Sequence, residues 1–272
     1  MKIGILGAAG RMGQMIARDI LYRQADLKSG DCILASAVDH KGSWALGKDI
    51  GGMLGRSPAN VNVTTDKNAA FAACDVMIDF TAAEAVTEHA GLAHQHGKAY
   101  VLGTTGLGAV EQAALQSAAK KAAILQAANM SLGVNLLLSL VEKVSGLLNN
   151  EYDIEIFDAH HRHKTDAPSG TALALGHAAA KGRGVKLEDA MVPARFGQIG
   201  ARIPGAIGVS VFRGGDVVGD HTVTFAGPGE RIELSHKASD RSLFAKGAVT
   251  AALWLKGKPP GLYSMKDVLG LD

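Results

Sequence analysis

The sequence predicts an α/β chain built on a doubly wound parallel sheet, followed by a second α+β region. Short β-rich apolar runs alternate with alanine-rich helical stretches as far as Met130, a small-residue turn joins the first such run to the first helix, and the texture changes after Asn129.

Residues 2–6 form the first strand candidate, and 33–38, 76–80, 99–102 and 123–126 follow it. Each is a near-continuous apolar run, as expected of parallel strands covered on both faces. Segments 11–22, 82–96 and 109–121 read as the intervening helices, with Gly97 a stop for the second. Past Asn129 the pattern predicts a helix at 134–148, a strand at 153–157, a helix at 171–180 and glycine-punctuated strands within 207–236. A last helix at 240–256 is broken by Pro259 and Pro260, leaving a short tail.

Composition narrows the function classes. Twenty-eight basic residues against 26 acidic ones leave a formal charge of +2, so no overall field would hold the chain on nucleic acid or an anionic membrane. The run 122–141 lacks charge, but Gln126, Asn129, Ser131, Asn135 and Ser139 argue against a lipid-facing helix. The apolar start is interrupted by Arg11 and reads as a strand rather than a signal core. Two cysteines, Cys32 and Cys74, offer neither a disulfide framework nor a zinc cluster and suit a reducing cytoplasm.

The turn Gly7-Ala8-Ala9-Gly10-Arg11-Met12-Gly13 is a variant dinucleotide fingerprint, in which small residues let amides at a helix N-terminus approach a pyrophosphate. A plain strand-to-helix turn is the competing reading. Context favours the cofactor, because the second strand ends at Asp39, whose carboxylate can accept hydrogen bonds from both adenosine ribose hydroxyls. That charge repels the extra phosphate of NADP and favours NAD, while His40 and Lys41 could offset it, so NADH and NADPH both stay open. Gly103-Thr104-Thr105-Gly106 and Ala127-Ala128-Asn129-Met130 follow two further strands and would lie along the same sheet edge.

The segment from Glu155 to Thr171 is the most unusual. His160, His161 and His163 account for three of ten histidines within four positions, beside Arg162 and Lys164, and form a local cationic patch suited to a small anion. Ser169-Gly170-Thr171 opens a helix whose start can hold a carboxylate. Together they suggest a substrate with more than one carboxylate. Three readings compete for the histidines: acid–base catalysis, a solvated loop, and a metal site. On an extended chain the three would alternate sides, and no cysteine or helical ligand spacing lies near, so no metal is expected. Clustering and context favour a histidine acid, with Lys164 as anchoring cation or second donor. His89, His94 and His96 read as ordinary surface residues.

The run His160-His161-Arg162-His163-Lys164, followed by Asp166-Ala167-Pro168-Ser169-Gly170-Thr171-Ala172, resembles the signature of the dihydrodipicolinate reductase family. The likeness extends over nearly the whole chain, through Asp79-Phe80-Thr81, Gly214-Gly215-Asp216 and His236-Lys237-Ala238.

This resemblance implies that His160 is the proton donor and Lys164 the second catalytic group, with His161, Gly170 and Thr171 at the substrate carboxylates; Ser169, read above at the same helix start, joins them as a substrate-binding candidate. It implies a cofactor site of Gly7, Ala8, Ala9, Gly10, Arg11, Met12, Asp39, Gly103, Thr104, Thr105, Ala127, Ala128, Asn129 and Met130, to which the reading of the second strand's end adds His40. Met130 departs from the aromatic residue members often carry there, and His40 from the arginine of some. The implied architecture is a Rossmann-type dinucleotide-binding domain over 1–130, rejoined by 241–272. Residues 131–240 would form a substrate-binding and oligomerisation domain with a mixed, largely open sheet, through which a homotetramer assembles. The implied activity is reduction of 4-hydroxy-tetrahydrodipicolinate by NADH or NADPH in the diaminopimelate route to lysine, with hydride to ring C4 and then protonation. A nicotinamide-binding redox sensor without turnover is the alternative, and the cationic cluster discriminates, because a sensor has no need to grip a small dicarboxylate.

Overall fold

The computed structural model describes residues 1–26, 30–193 and 195–271, which divide into two units, Met1–Ser131 with Ser242–Asp272 and Leu132–Arg241. The first unit runs β1 (Lys2–Leu6), α1 (Arg11–Ala25), β2 (Ile33–Val38), α2 (Ile50–Met53), β3 (Val63–Thr64), α3 (Lys67–Ala73), β4 (Val76–Asp79), α4 (Val86–His96), β5 (Ala99–Leu102), α5 (Ala109–Ala118) and β6 (Ala123–Gln126). The second runs α6 (Leu132–Leu147), β7 (Asp153–His160), α7 (Gly170–Arg183), α8 (Leu187–Ala190), β8 (Met191–Val192), β9 (Ile207–Arg213), β10 (Gly219–Gly227) and β11 (Glu230–Ala238). The chain then returns to the first unit with α9 (Ser242–Trp254), β12 (Gly261–Tyr263) and α10 (Met265–Leu269).

The first sheet has the order β12-β6-β5-β4-β1-β2-β3, and every pairing is parallel. Its strands are apolar on both faces, and Met77, Tyr100, Leu102 and Ile124 share one buried cluster with helix residues Phe71, Ala90 and Leu115. Strand order reverses between β1 and β4, so the connections leaving these two strands diverge to opposite sides and leave a crevice at their carboxyl ends.

Several boundaries differ from the sequence expectation. The third predicted strand stops at Asp79 because Phe80 leaves the ladder, and its ring fills the space beside Gly103, where a Cβ would lie 2.2 Å away. The helix expected at 82–96 begins as a 3₁₀ turn, Ala83–Ala85. The tail beyond Pro259 and Pro260 is not loose: β12 pairs with β6 and extends the sheet.

The second sheet has the order β11-β10-β7-β9-β8 and is mixed: β7 runs antiparallel to β10 and parallel to β9. Helices α6 and α7 cover one face, burying Leu137, Val141 and Leu175 against Ile154, Ile156, Val209 and Phe225. On the other face, Phe157 and Phe212 are 43% and 46% exposed. The strand expected at 153–157 continues to His160, so the histidine run starts inside the sheet rather than after it.

Candidate functional site

In the first unit, the fingerprint turn forms because Gly7 adopts φ 73° and Gly13 sits where a Cβ would come within 2.1 Å of the Gly7 carbonyl oxygen. Ala8 is fully buried and its amide donates to the Val38 carbonyl at 3.0 Å, tying the turn to β2. Asp39, at the end of β2, accepts from the Ala9 amide at 2.6 Å, so the acid is fixed beside the turn. Helix α1 has Gly10 at its N-cap position, hence no side-chain cap, and no acid in its first turn, in contrast to the side-chain caps Asp49, Asp66, Ser169 and Ser264 on other helices. Its first-turn amides and their positive end of the helix dipole therefore suit an anionic phosphate, the donor set a dinucleotide requires.

Beside the turn lies a cavity of about 670 Å³ lined by Gly7, Asp39, His40, Lys41, Thr81 and His89, among others. A nucleoside fits within such a volume. Thr104 donates to the Thr81 carbonyl at 3.0 Å, and Ala127 donates to the Leu102 carbonyl at 3.1 Å, so the loops after β4, β5 and β6 are tied to one another. Thr105 and Ala128 are exposed. Met130 is 1% exposed, with its carbonyl against Gly247 of α9, so it presents almost no surface to a ligand.

Sequence reasoning missed the buried group beneath these loops. Asp79 is inaccessible and receives hydrogen bonds from Tyr100 (2.5 Å), Thr81 (2.7 Å) and the His89 imidazole (2.7 Å). Burial alone would raise the Asp79 carboxyl, but the bond from His89 and those from Thr81 and Tyr100 outweigh it and hold it below the usual carboxylate range. His89, expected on the surface, is 2% exposed. Asp79 pulls it inward, a partnership that helical spacing alone does not reveal.

In the second unit, His160 is the last residue of β7, and His161, Arg162, His163 and Lys164 follow in the turn. Hydrogen bonds Gly214 N–H to His160 O (3.0 Å) and Arg162 N–H to Gly215 O (3.2 Å) hold this turn against the β9–β10 connection. His161, Arg162, His163, Gly215, Asp216 and Arg241 line an open cavity of about 620 Å³. Arg241 Nη2 lies 3.3 Å from His161 Nε2, and the Lys164 ammonium pairs with Asp166 at 2.8 Å.

Under His160 sits Asp158, two residues back and hence on the same face of β7. It is inaccessible, and its oxygens meet the Ser169 hydroxyl (2.8 Å), the Ser169 amide (2.9 Å), Arg213 (3.0 Å), His221 (3.2 Å) and His160 Nδ1 (3.0 Å). Burial pushes this carboxyl up, but the hydrogen bonds from His221, Ser169 and Arg213 outweigh it and hold Asp158 far below the usual range. Burial pushes the His160 imidazole down to about 4, against the upward pull of Asp158. Asp158, His160 and His221 hold ligating atoms within 4.8 Å of one another, yet Arg213 already brings a positive charge to the same carboxylate and opposes a cation there.

Ser169 is 2% exposed, and its hydroxyl is committed to Asp158 and to capping α7 through the Ala172 amide (3.1 Å). This corrects the expectation that its hydroxyl grips a carboxylate. Gly170 and Thr171 stand at the first two positions of α7. The structure thus gathers His160, His161, Lys164 and the start of α7 around one β7–α7 connection, and adds Asp158, Arg213 and His221, none of which stands out in the sequence. The two-residue spacing of Asp158 and His160 along a strand is the available signal for the first; Arg213 and His221 arrive only through sheet register, opposite His160 and Asp158.

Residues 1–130 match the family described as dihydrodipicolinate reductase, N-terminus, and residues 133–269 match dihydrodipicolinate reductase, C-terminus. The chain is 52% identical to a 4-hydroxy-tetrahydrodipicolinate reductase of Ruegeria pomeroyi over 269 residues, 99% of this chain and 98% of that one. It is 49% identical to the Rhizobium meliloti protein of the same description, over 100% and 98% of the two chains. A solved structure described as dipicolinate-bound dihydrodipicolinate reductase from Paenisporosarcina sp. TG-14 shares the fold, with a TM-score of 0.73, 24% identity and 97% coverage of each chain.

Proposed function

Because the chain belongs to the dihydrodipicolinate reductase family and catalyses NAD(P)H-dependent reduction of 4-hydroxy-tetrahydrodipicolinate to tetrahydrodipicolinate, we propose how its own residues divide that work. Bound NAD(P)H supplies the hydride. The residues that fit it are Gly7 to Met12 at the phosphates, Asp39 and His40 at the adenosine ribose, and the loops at Gly103–Thr105 and 127–129 toward the nicotinamide end. Asp39, already bonded to Ala9, keeps the turn and the ribose acceptor in one fixed relation.

The cluster on the β7–α7 connection holds the dicarboxylate. His161, Lys164 and the first turn of α7, at Gly170 and Thr171, pair with its carboxylates, fixing the ring for attack at C4. Hydride addition leaves an enamine, and His160 delivers a proton to its nucleophilic carbon. Its imidazole is neutral near pH 7 in the free protein, with a pKa of about 4, so the two substrate charges must draw the proton onto it. The positive groups nearby also favour the electron-rich transition state.

The observation that carries this reading is the gathering of His160, His161, Lys164 and a helix start on one short connection, a grip that a sensor without turnover does not need. Support for a homotetramer is the uncovered sheet face bearing Phe157 and Phe212. Both cysteines are buried free thiols, which supports a cytoplasmic location.

The test is to mix the protein with NADH or NADPH and freshly generated aldolase product, follow loss of nicotinamide absorbance, and add pyridine-2,6-dicarboxylate. Substrate-dependent oxidation, inhibited competitively against the substrate, is expected. Inhibition that ignores substrate concentration overturns the two-carboxylate grip.

A further inference from the structure

Asp158 does not face solvent and has no room to touch a ligand, yet five polar groups from four parts of the second unit converge on it. Oδ1 faces the Ser169 hydroxyl at the start of α7, His221 Nε2 from β10 and His160 Nδ1 from β7 itself, while Oδ2 receives the Ser169 amide and Arg213 from β9. The His160 and His221 rings meet edge to face at 5.1 Å. On the far side of His160, Gly219 leaves the room its ring occupies: a Cβ there would stand 3.0 Å from Nε2. The ring is therefore confined between β10 and a fixed carboxylate. Its Nδ1 lies at 3.0 Å from Oδ1 but off the line of a hydrogen bond, the loose geometry such contacts show before a ligand tightens them.

We propose that Asp158 is the positioning residue of His160: held by His221, Arg213 and Ser169, it keeps a proton on Nδ1 and turns Nε2 toward the substrate as the atom that gives up and regains the transferred proton. This rests on His160 being the proton donor. In the step, the Nε2–H bond breaks while the enamine electron pair forms the new C–H bond, and the neutral ring retains Nδ1–H toward Asp158. Solvent then reprotonates Nε2. Arg213 adds a second function: it also donates to the Asp166 carbonyl at 2.7 Å, so the brace on Asp158 and the path of the loop carrying Lys164 are set by one guanidinium.

The charged and titratable groups around His160 are Asp158, Lys164, His221 and Arg213, with His236 beyond His221 on β11. Of these, Asp158 alone favours the protonated ring. Replacing it by Asn should therefore move the falling alkaline limb of the kcat profile to lower pH and lower kcat about tenfold or more, with the KM for NAD(P)H unchanged. Asp158→Glu should recover part of the loss. Nitrogen chemical shifts of the histidine-labelled wild-type chain near pH 7 provide a reading that needs no variant: Nδ1-protonated His160 is expected, and an Nε2-protonated ring overturns the proposal. A folded Asp158→Asn enzyme with a wild-type pH profile and kcat also overturns it, while loss of turnover in His160→Gln persists. If His160→Gln itself turns over normally, the donor assignment falls first and the positioning claim with it.

Discussion

At the scale of single residues, His160 and Asp158 both tie the stability of the second unit to pH. His160 titrates near 4 in the folded chain against 6.5 unperturbed, because burial disfavours its charged form. The unfolded chain thus binds the extra proton first, and the stability held by the neutral ring is complete above about 6.5 and declines as pH falls toward 4. Asp158 acts lower: its depressed pKa contributes stability above the ordinary carboxylate value that is lost as pH falls below it. Urea unfolding at pH 7 and pH 5 should show a loss in the wild-type chain that is smaller in His160→Gln; equal losses in the two contradict this. The period-two spacing of 158 and 160 is legible in the sequence, but no local pattern connects either to His221, more than sixty positions away, because that contact is a matter of strand register.

Among the elements, close approach explains where glycine is required. Helices α6 and α7 cross so tightly that a Cβ at Gly182 would stand 2.2 Å from the Glu142 carbonyl oxygen, whereas one at Gly91 in α4 meets nothing within 4 Å. Gly182→Ala should destabilise the chain by about 1–3 kcal/mol through overpacking, while Gly91→Ala should stabilise it by up to about 1 kcal/mol through helix propensity. Denaturant midpoints of the pair check the contrast, and stabilisation by both substitutions would contradict the close crossing. The long elements are legible because burial on both faces writes continuous apolar runs into strands such as β4 and β5. β3, with two residues, and β12, with three, are too short to carry any periodicity, and pairing with β2 and β6 defines them instead. Element ends are displaced by tertiary contacts, as at Phe80, whose ring beside Gly103 draws the chain out of β4.

For the whole molecule, the uncovered face of the second sheet is the feature a single chain leaves unexplained. Phe157 and Phe212 lie on it in alternate register with Ser210 and Ala159, and Thr222 and Ser235 bond across it at 2.8 Å. On the proposal that this face joins copies of the chain, Phe212→Asp should reduce the molecular mass seen by light scattering below that of the unsubstituted protein, with nicotinamide binding retained; an unchanged mass would remove this face from assembly. Composition and motif foretell the class of fold and point to the histidine-rich connection, since a fingerprint turn and a histidine run are local in sequence. The supports beneath them, Asp79 with His89 and Tyr100 in one unit and Asp158 with His221 and Arg213 in the other, join distant segments and only the fold assembles them.

The claim on which the chemistry turns is that His160 hands a proton to the reduced ring. Turnover of His160→Gln, measured beside its nicotinamide dissociation constant in the same preparation, tests it most directly. The expected result is a fall of about 10²-fold or more with cofactor affinity unchanged; wild-type turnover with cofactor still tightly bound would contradict it.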